Sequence, residues 1–120
     1  YSLYNNTTGN NNTGIGMSAG FGNNTGNENS YLGYRSGYVN GNSNIAIGNY
    51  SLGFGSTAPT PQFLSNTIAI GDSSLYNIVS NARENVAIGS KSLYNNTTGY
   101  RNTALGFRSL FNNDEGFQNT

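Results

Sequence analysis

A short run that ends in glycine recurs six times along the chain, and this repeat constrains the fold more than any other feature of the sequence. The spacings between successive glycines are 17, 15, 23, 18 and 17 residues. The aligned glycines are Gly16, Gly33, Gly48, Gly71, Gly89 and Gly106. Self-similarity at such a period indicates units that stack on their neighbours. We therefore predict a single repeat array over residues 1–120, with about six complete coils.

Two columns of residues precede the glycines at alternate positions. The nearer column is always Ile or Leu: Ile15, Leu32, Ile47, Ile70, Ile88 and Leu105. The farther column comprises Thr13, Ser30, Ile45, Ile68, Val86 and Thr103. Because a strand points alternate residues to one face, we predict that both columns point together into the interior. The residue between them is Ala in four of the six units, and we predict that it presses against a neighbouring backbone.

A second run follows each glycine and supplies a leucine in most units. The leucines are Leu3, Leu52, Leu75, Leu93 and Leu110, whereas Gly20 and Gly37 stand at this position in two units. Two strands of about four or five residues and two turns would complete a coil of about 17 residues. The sequence thus predicts an all-β chain, a parallel β-solenoid or β-roll. Asn-rich stretches between units predict tight turns with amide ladders, and the aromatic residue after each leucine position predicts a stacked ladder.

The apolar content is low, since Leu, Ile, Val and Phe together are 24 of 120 residues. So thin a core is marginal against the entropy of ordering the chain, and we predict a parallel homo-oligomer, a trimer. A net charge of zero argues against nucleic-acid partners. Because no run approaches about 18 apolar residues, we expect no membrane contact by this segment. No His or Cys is present, and we expect no metal or cofactor.

Five acidic residues are the candidates for catalysis or metal binding: Glu28, Asp72, Glu84, Asp114 and Glu115. A glycoside-cleaving site needs two carboxylates about 5–10 Å apart, but Asp72 and Glu84 fall at different coil positions. We interpret the five as solvated turn residues. The chain is therefore predicted to be non-enzymatic, with no catalytic residues.

An insertion at residues 56–65 accounts for the 23-residue spacing before Gly71. Insertions in solenoids form loops on one face, often the binding face. The candidate surface-contact residues are Pro59, Pro61, Gln62 and Phe63. The alternative, which we favour, is a tolerated loop whose Phe63 folds back onto the roll.

The runs NVAIGSKSL (85–93), NTALGFRSL (102–110) and NIAIGNYSL (44–52) resemble the head repeats of trimeric autotransporter adhesins of the YadA type. The resemblance implies a left-handed parallel β-roll of three intertwined chains. The longer pattern around NNTTG also resembles repeats of bacterial surface fibres and phage-type tail fibres. Departures are the longer coil, the missing leucines at Gly20 and Gly37, and Tyr31 in the small column.

Two functions from this resemblance stay open. The first is a structural and adhesive segment of an extracellular, cell-surface fibre that contacts a host receptor or surface glycan. The second is a phage or injection-device tail fibre, on a virion. An ice-binding solenoid ranks below both, because its flat threonine array is broken here by Ser30, Ile45, Ile68 and Val86.

Overall fold

The computed structural model describes residues 1–53, 55 and 63–120. In this part of the chain all regular structure is β, and each strand is three residues long. The strands are β1 (Thr13–Ile15), β2 (Ser30–Leu32), β3 (Ile45–Ile47), β4 (Ile68–Ile70), β5 (Val86–Ile88) and β6 (Thr103–Leu105). They form one parallel sheet in the order of the sequence, so that the chain is a β-solenoid with one strand per coil.

The register of the strands confirms the repeat alignment. Ile47 pairs with Ile70, Ile70 pairs with Ile88, and Ile88 pairs with Leu105. The shortened coil and the coil with the insertion keep this register, since Leu32 pairs with Ile47 across the 15-residue spacing. Length differences between coils are therefore absorbed outside the strands.

The predicted orientation of the strands is wrong. The Ala column is the interior column, and Ala46, Ala69 and Ala87 are fully buried. The Ile and Leu columns point outward: β3 has a buried alanine between exposed Ile45 and Ile47. The remaining members of the two columns are exposed or half-buried. Alternation fixes which residues share a face, but the width of the coil decides which face is inside.

In the regular coils one leucine from the second run and one alanine from the strand face the interior together. Leu52, Leu75 and Leu93 are fully buried, which confirms their predicted inward position. Leu3 and Leu110 are partly buried against the same core. The narrow interior therefore selects a small residue in the strand, and the large β-branched residues are left on the outer side.

The second run of each coil is a turn and not the predicted second strand. Its second and fourth residues are left-handed, as in Lys91 (φ 58°) and Leu93 (φ 47°). Hydrogen bonds between coils continue through the turn, because Leu75 N–H donates to the Ser92 carbonyl at 3.0 Å. The serine hydroxyl also donates within its coil, as from Ser92 to the Gly89 carbonyl at 2.9 Å.

A buried asparagine begins most of the strand runs and joins each coil to the next. The Asn44 N–H donates to Asn29 Oδ1 at 2.9 Å, and the Asn102 N–H donates to Asn85 Oδ1 at 2.9 Å. The Asn85 Nδ2 donates to the Gly99 carbonyl at 2.8 Å, and this carbonyl lies in the turn of the next coil. This ladder at the strand starts was not predicted, whereas the predicted ladder in the NNTTG turns is also present, since Asn113 Nδ2 donates to Oδ1 of the buried Asn96 at 3.0 Å. Burial strengthens such bonds and makes their loss costly.

Tyr31 fills the space of the two missing leucines. It occupies the alanine position of β2 and is 1% exposed. A Cβ atom on Gly20 would lie 2.7 Å from Tyr31 Cδ2, and one on Gly37 would overlap the same ring. The three departures from the repeat are therefore one compensated exchange, in which one large residue replaces two leucines.

Candidate interaction surfaces

The outward side of the sheet, which we call the outer face, is a largely apolar surface that is exposed in β1, β2, β3 and β6 and half-buried in β4 and β5. It consists of Thr13, Ile15, Ser30, Leu32, Ile45, Ile47, Ile68, Ile70, Val86, Ile88, Thr103 and Leu105. Ile15 is 60% exposed, Ile47 is 37% exposed and Leu105 is 75% exposed. No member carries a charge. The side chains rise in two straight columns because the strands are in register.

Parallel sheets are normally covered on both sides, and their strands are apolar on both sides for that reason. Here the interior covers one side with leucines, whereas nothing within the described part of the chain covers the outer face. A soluble monomer rarely exposes a large continuous apolar patch unless the patch is an interaction site. The outer face is thus the main candidate site of this chain.

An aromatic column runs along another side of the coils. Tyr76 and Tyr94 stack with ring centroids 5.1 Å apart, and Tyr94 and Phe111 stack at 5.0 Å. Phe21 and Tyr38 continue the same position at 5.3 Å in the earlier coils. The predicted aromatic ladder is confirmed, and the rings seal coils of one chain to each other.

An exposed amide ladder lies beside the aromatic column. Asn77 Nδ2 donates to Asn95 Oδ1 at 2.7 Å, and Asn95 Nδ2 donates to Asn112 Oδ1 at 2.8 Å. This ladder does fall in the Asn-rich turns, as predicted. It lies on the surface, in contrast to the buried ladder at the strand starts.

The candidate contact loop is only partly described. Pro59, Pro61 and Gln62 lie outside the described residues. Phe63 forms an isolated parallel bridge with Asn40, and its side chain is 61% exposed. The adjacent Leu64 is fully buried in the core. The expectation that Phe63 folds back onto the roll is therefore wrong for its side chain, and in the described part of the loop Leu64 is the residue that packs in the core.

The acidic residues lie in turns, and each is exposed except Glu84, which is half-buried. Glu84 is paired with Arg101 at 2.6 Å and lies 3.7 Å from Arg83. The hydrogen bond from Arg101 lowers the pKa of the Glu84 carboxyl. Asp114 accepts a hydrogen bond from the Thr97 hydroxyl. Among the described residues, no three acidic, His or Cys side chains come together in a way that could hold a metal ion.

Burial raises the pKa of the Tyr31 hydroxyl, and the nearby Asn44 side chain acts in the opposite direction. Within the described residues this hydroxyl makes no hydrogen bond of ordinary geometry. Tyr31 is 1% exposed, and its ring fills the core beside Gly20 and Gly37. A search of the described residues for an apolar helix of membrane-spanning length finds none.

The fold and the outer face define the chain as a parallel β-solenoid repeat protein with one uncovered sheet side. Comparison with protein-family models, with curated proteins and with solved structures gives no match to any of them.

Proposed function

We propose that this chain is a non-enzymatic segment of a trimeric extracellular fibre, which extends a rod and presents a surface for attachment. The outer face carries the proposal. It is uncharged, and each of its six strands contributes at least one Ile, Leu or Val, so its burial requires an equally long and regular partner. A parallel, in-register copy of the same chain offers one at every coil.

The energetics favour burial of this face. Fully burying one isoleucine or leucine side chain contributes about 1.5–3 kcal/mol, and the outer face carries nine Ile, Leu and Val side chains. The interior of one chain is built largely from alanine, single leucines and hydrogen-bonded amides. Association of chains therefore supplies the large apolar core that a single chain lacks. The resemblance to adhesin heads is what supports the three-fold symmetry and the left-handed winding in this proposal.

The alternative is that the same rod is a segment of a phage or injection-device tail fibre. The uncovered outer face supports it equally, since both kinds of fibre are assembled from parallel chains. Sequence flanking the repeat array in the parent protein separates the two, because a membrane anchor indicates a cell-surface fibre and a baseplate-attachment domain indicates a tail fibre.

Lysines on the outer face are expected to abolish the oligomer. In the double variant Ile47→Lys/Ile70→Lys, two ammonium groups per chain would have to be buried without partners, which costs several kcal/mol in each chain. We expect the chain concentration at half-dissociation to rise more than about a thousandfold, as measured by sedimentation velocity.

The matched control is Thr8→Lys/Thr98→Lys, which adds the same charge at two exposed turn positions away from the sheet. This control is expected to keep the wild-type mass. If the Ile47→Lys/Ile70→Lys chain keeps the oligomer as well, the outer face is not the interface and the proposed assembly is wrong.

A further inference from the structure

Two open grooves lie at the same position of the coil, in the first coils and in the last coils. The first has a volume of about 540 Å³ and the second about 450 Å³. The first is lined by Tyr4, Asn5, Thr7, Gly22 and Asn24, and the second by Asn77, Asn95, Thr97, Asn112 and Asp114. By repeat position, Asn5 corresponds to Asn95, Thr7 to Thr97 and Asn24 to Asp114. Both grooves thus present an asparagine, a threonine and an Asn or Asp side chain at matching positions, whereas Gly22 stands in the first groove where the second has Asn112.

The polar groups of both grooves are held in fixed orientations. Asn95 Nδ2 donates to Asn112 Oδ1 at 2.8 Å, and Asn5 Nδ2 donates to the Phe21 carbonyl at 2.9 Å. The Thr7 hydroxyl donates to Asn24 Oδ1 at 2.7 Å. A side-chain amide has two N–H donors and two acceptor lone pairs, so each rung keeps bonding capacity beyond the ladder. Fixed groups bind with less loss of side-chain entropy than mobile ones.

The chemistry of the lining selects the kind of ligand. Among the described residues that line either groove, Asp114 alone is charged, and it disfavours phosphate and sulfate groups. Amides and hydroxyls both donate and accept, which suits a ligand whose hydroxyl groups do the same. Tyr4, whose ring stacks on Phe21 of the aromatic column, lines the first groove and is 64% exposed. An amphipathic border of this kind suits a ligand with both polar edges and apolar faces.

We propose that the two grooves bind an extended chain of neutral sugars that lies along the rod. In the second groove the amides of Asn77, Asn95 and Asn112 repeat once per coil, so successive sugar rings meet successive amide groups. This inference rests on the proposed attachment role and gives it a ligand class. Every groove residue belongs to one chain, and binding therefore does not require the oligomer.

The test is an NMR titration of the isotope-labelled chain with two neutral probes, cellohexaose and chitohexaose, and with a heparin hexasaccharide as the anionic probe. At millimolar concentration a neutral probe is expected to shift the side-chain amide resonances of Asn5, Asn95 and Asn112 in a saturable manner. The variant Asn5→Ala/Asn112→Ala is expected to bind about fivefold more weakly at each groove, since each loses one hydrogen-bonding amide.

The control is Asn10→Ala/Asn42→Ala, which removes two exposed asparagines of a parallel column away from the grooves. It is expected to bind like the wild type. Absence of shifts with both neutral probes, tighter binding of the heparin probe, or equal weakening in the control would each overturn the inference. Titration of Ile47→Lys/Ile70→Lys separates the two proposals. If this variant no longer assembles but still binds the neutral probe, both proposals stand. If a chain assembles but does not bind the probe, only the proposal for the grooves is contradicted.

Discussion

Replacing Tyr31 with alanine is expected to lower the free energy of unfolding by about 3–5 kcal/mol. The ring is 1% exposed and fills the space beside Gly20 and Gly37, where neighbouring coils have leucine. Alanine is the residue that most other strands have at this position, but here it would leave the space of both missing leucines empty. The loss of stability therefore comes from the cavity. Urea unfolding followed by circular dichroism measures the change.

Two further variants decide whether the cavity is the cause. Adding Gly20→Leu and Gly37→Leu to Tyr31→Ala is expected to recover most of the lost stability, because leucine takes the same left-handed backbone at Leu75 and Leu93. Tyr31→Phe is expected to be neutral or stabilising, since within the described residues the hydroxyl makes no hydrogen bond of ordinary geometry that would be lost. A triple variant less stable than Tyr31→Ala would show that the three positions do not compensate each other.

Replacing Gly89 with alanine is expected to cost more than about 4 kcal/mol and to remove the cooperative unfolding transition. Its φ of 127° favours glycine, and a Cβ atom would lie 2.5 Å from the Gly106 carbonyl oxygen of the next coil. The backbone strain of the positive φ and the steric clash of the Cβ atom therefore both destabilise the variant. The clash is with a backbone atom, which cannot move unless the two coils separate. Thermal unfolding monitored by circular dichroism measures the effect.

Gly106→Ala is the matched control. Gly106 has a similar φ of 116°, but a Cβ atom there would meet no atom of the described residues within 4 Å. Only the backbone strain applies, and the expected loss is about 1–3 kcal/mol. Equal losses at Gly89 and Gly106 would mean that close stacking of the coils is not what requires the glycine column.

The stacking of the coils could be predicted from the sequence, because the glycine spacing fixes the register whatever the coil looks like in cross-section. The direction of the strand faces could not. Thr13, Ile45 and Val86 alternate with small residues in the same way whether they point inward or outward, and periodicity carries no information on which side is solvent. The leucine of the second run indicates which side faces the interior, because one leucine such as Leu75 is already fully buried there and leaves space only for a small residue of the strand.

The buried asparagines could have been predicted from their recurrence at one position of the repeat. Asn begins the run at residues 12, 29, 44, 85 and 102, and a polar residue that recurs at one position of a core repeat indicates an internal ladder. The left-handed leucines could not have been predicted from residue type, because leucine rarely adopts a positive φ. Only the glycines at 20 and 37, in the same column, hinted at that conformation.

The mass of the chain in solution tests the central claim most directly, namely that the outer face is buried between copies of this chain. Sedimentation equilibrium at micromolar concentration is expected to give three times the chain mass of 12.7 kDa, with a circular dichroism spectrum typical of β-structure. A folded species of 12.7 kDa that persists as the concentration is raised would show that the outer face stays in water, and would contradict the account.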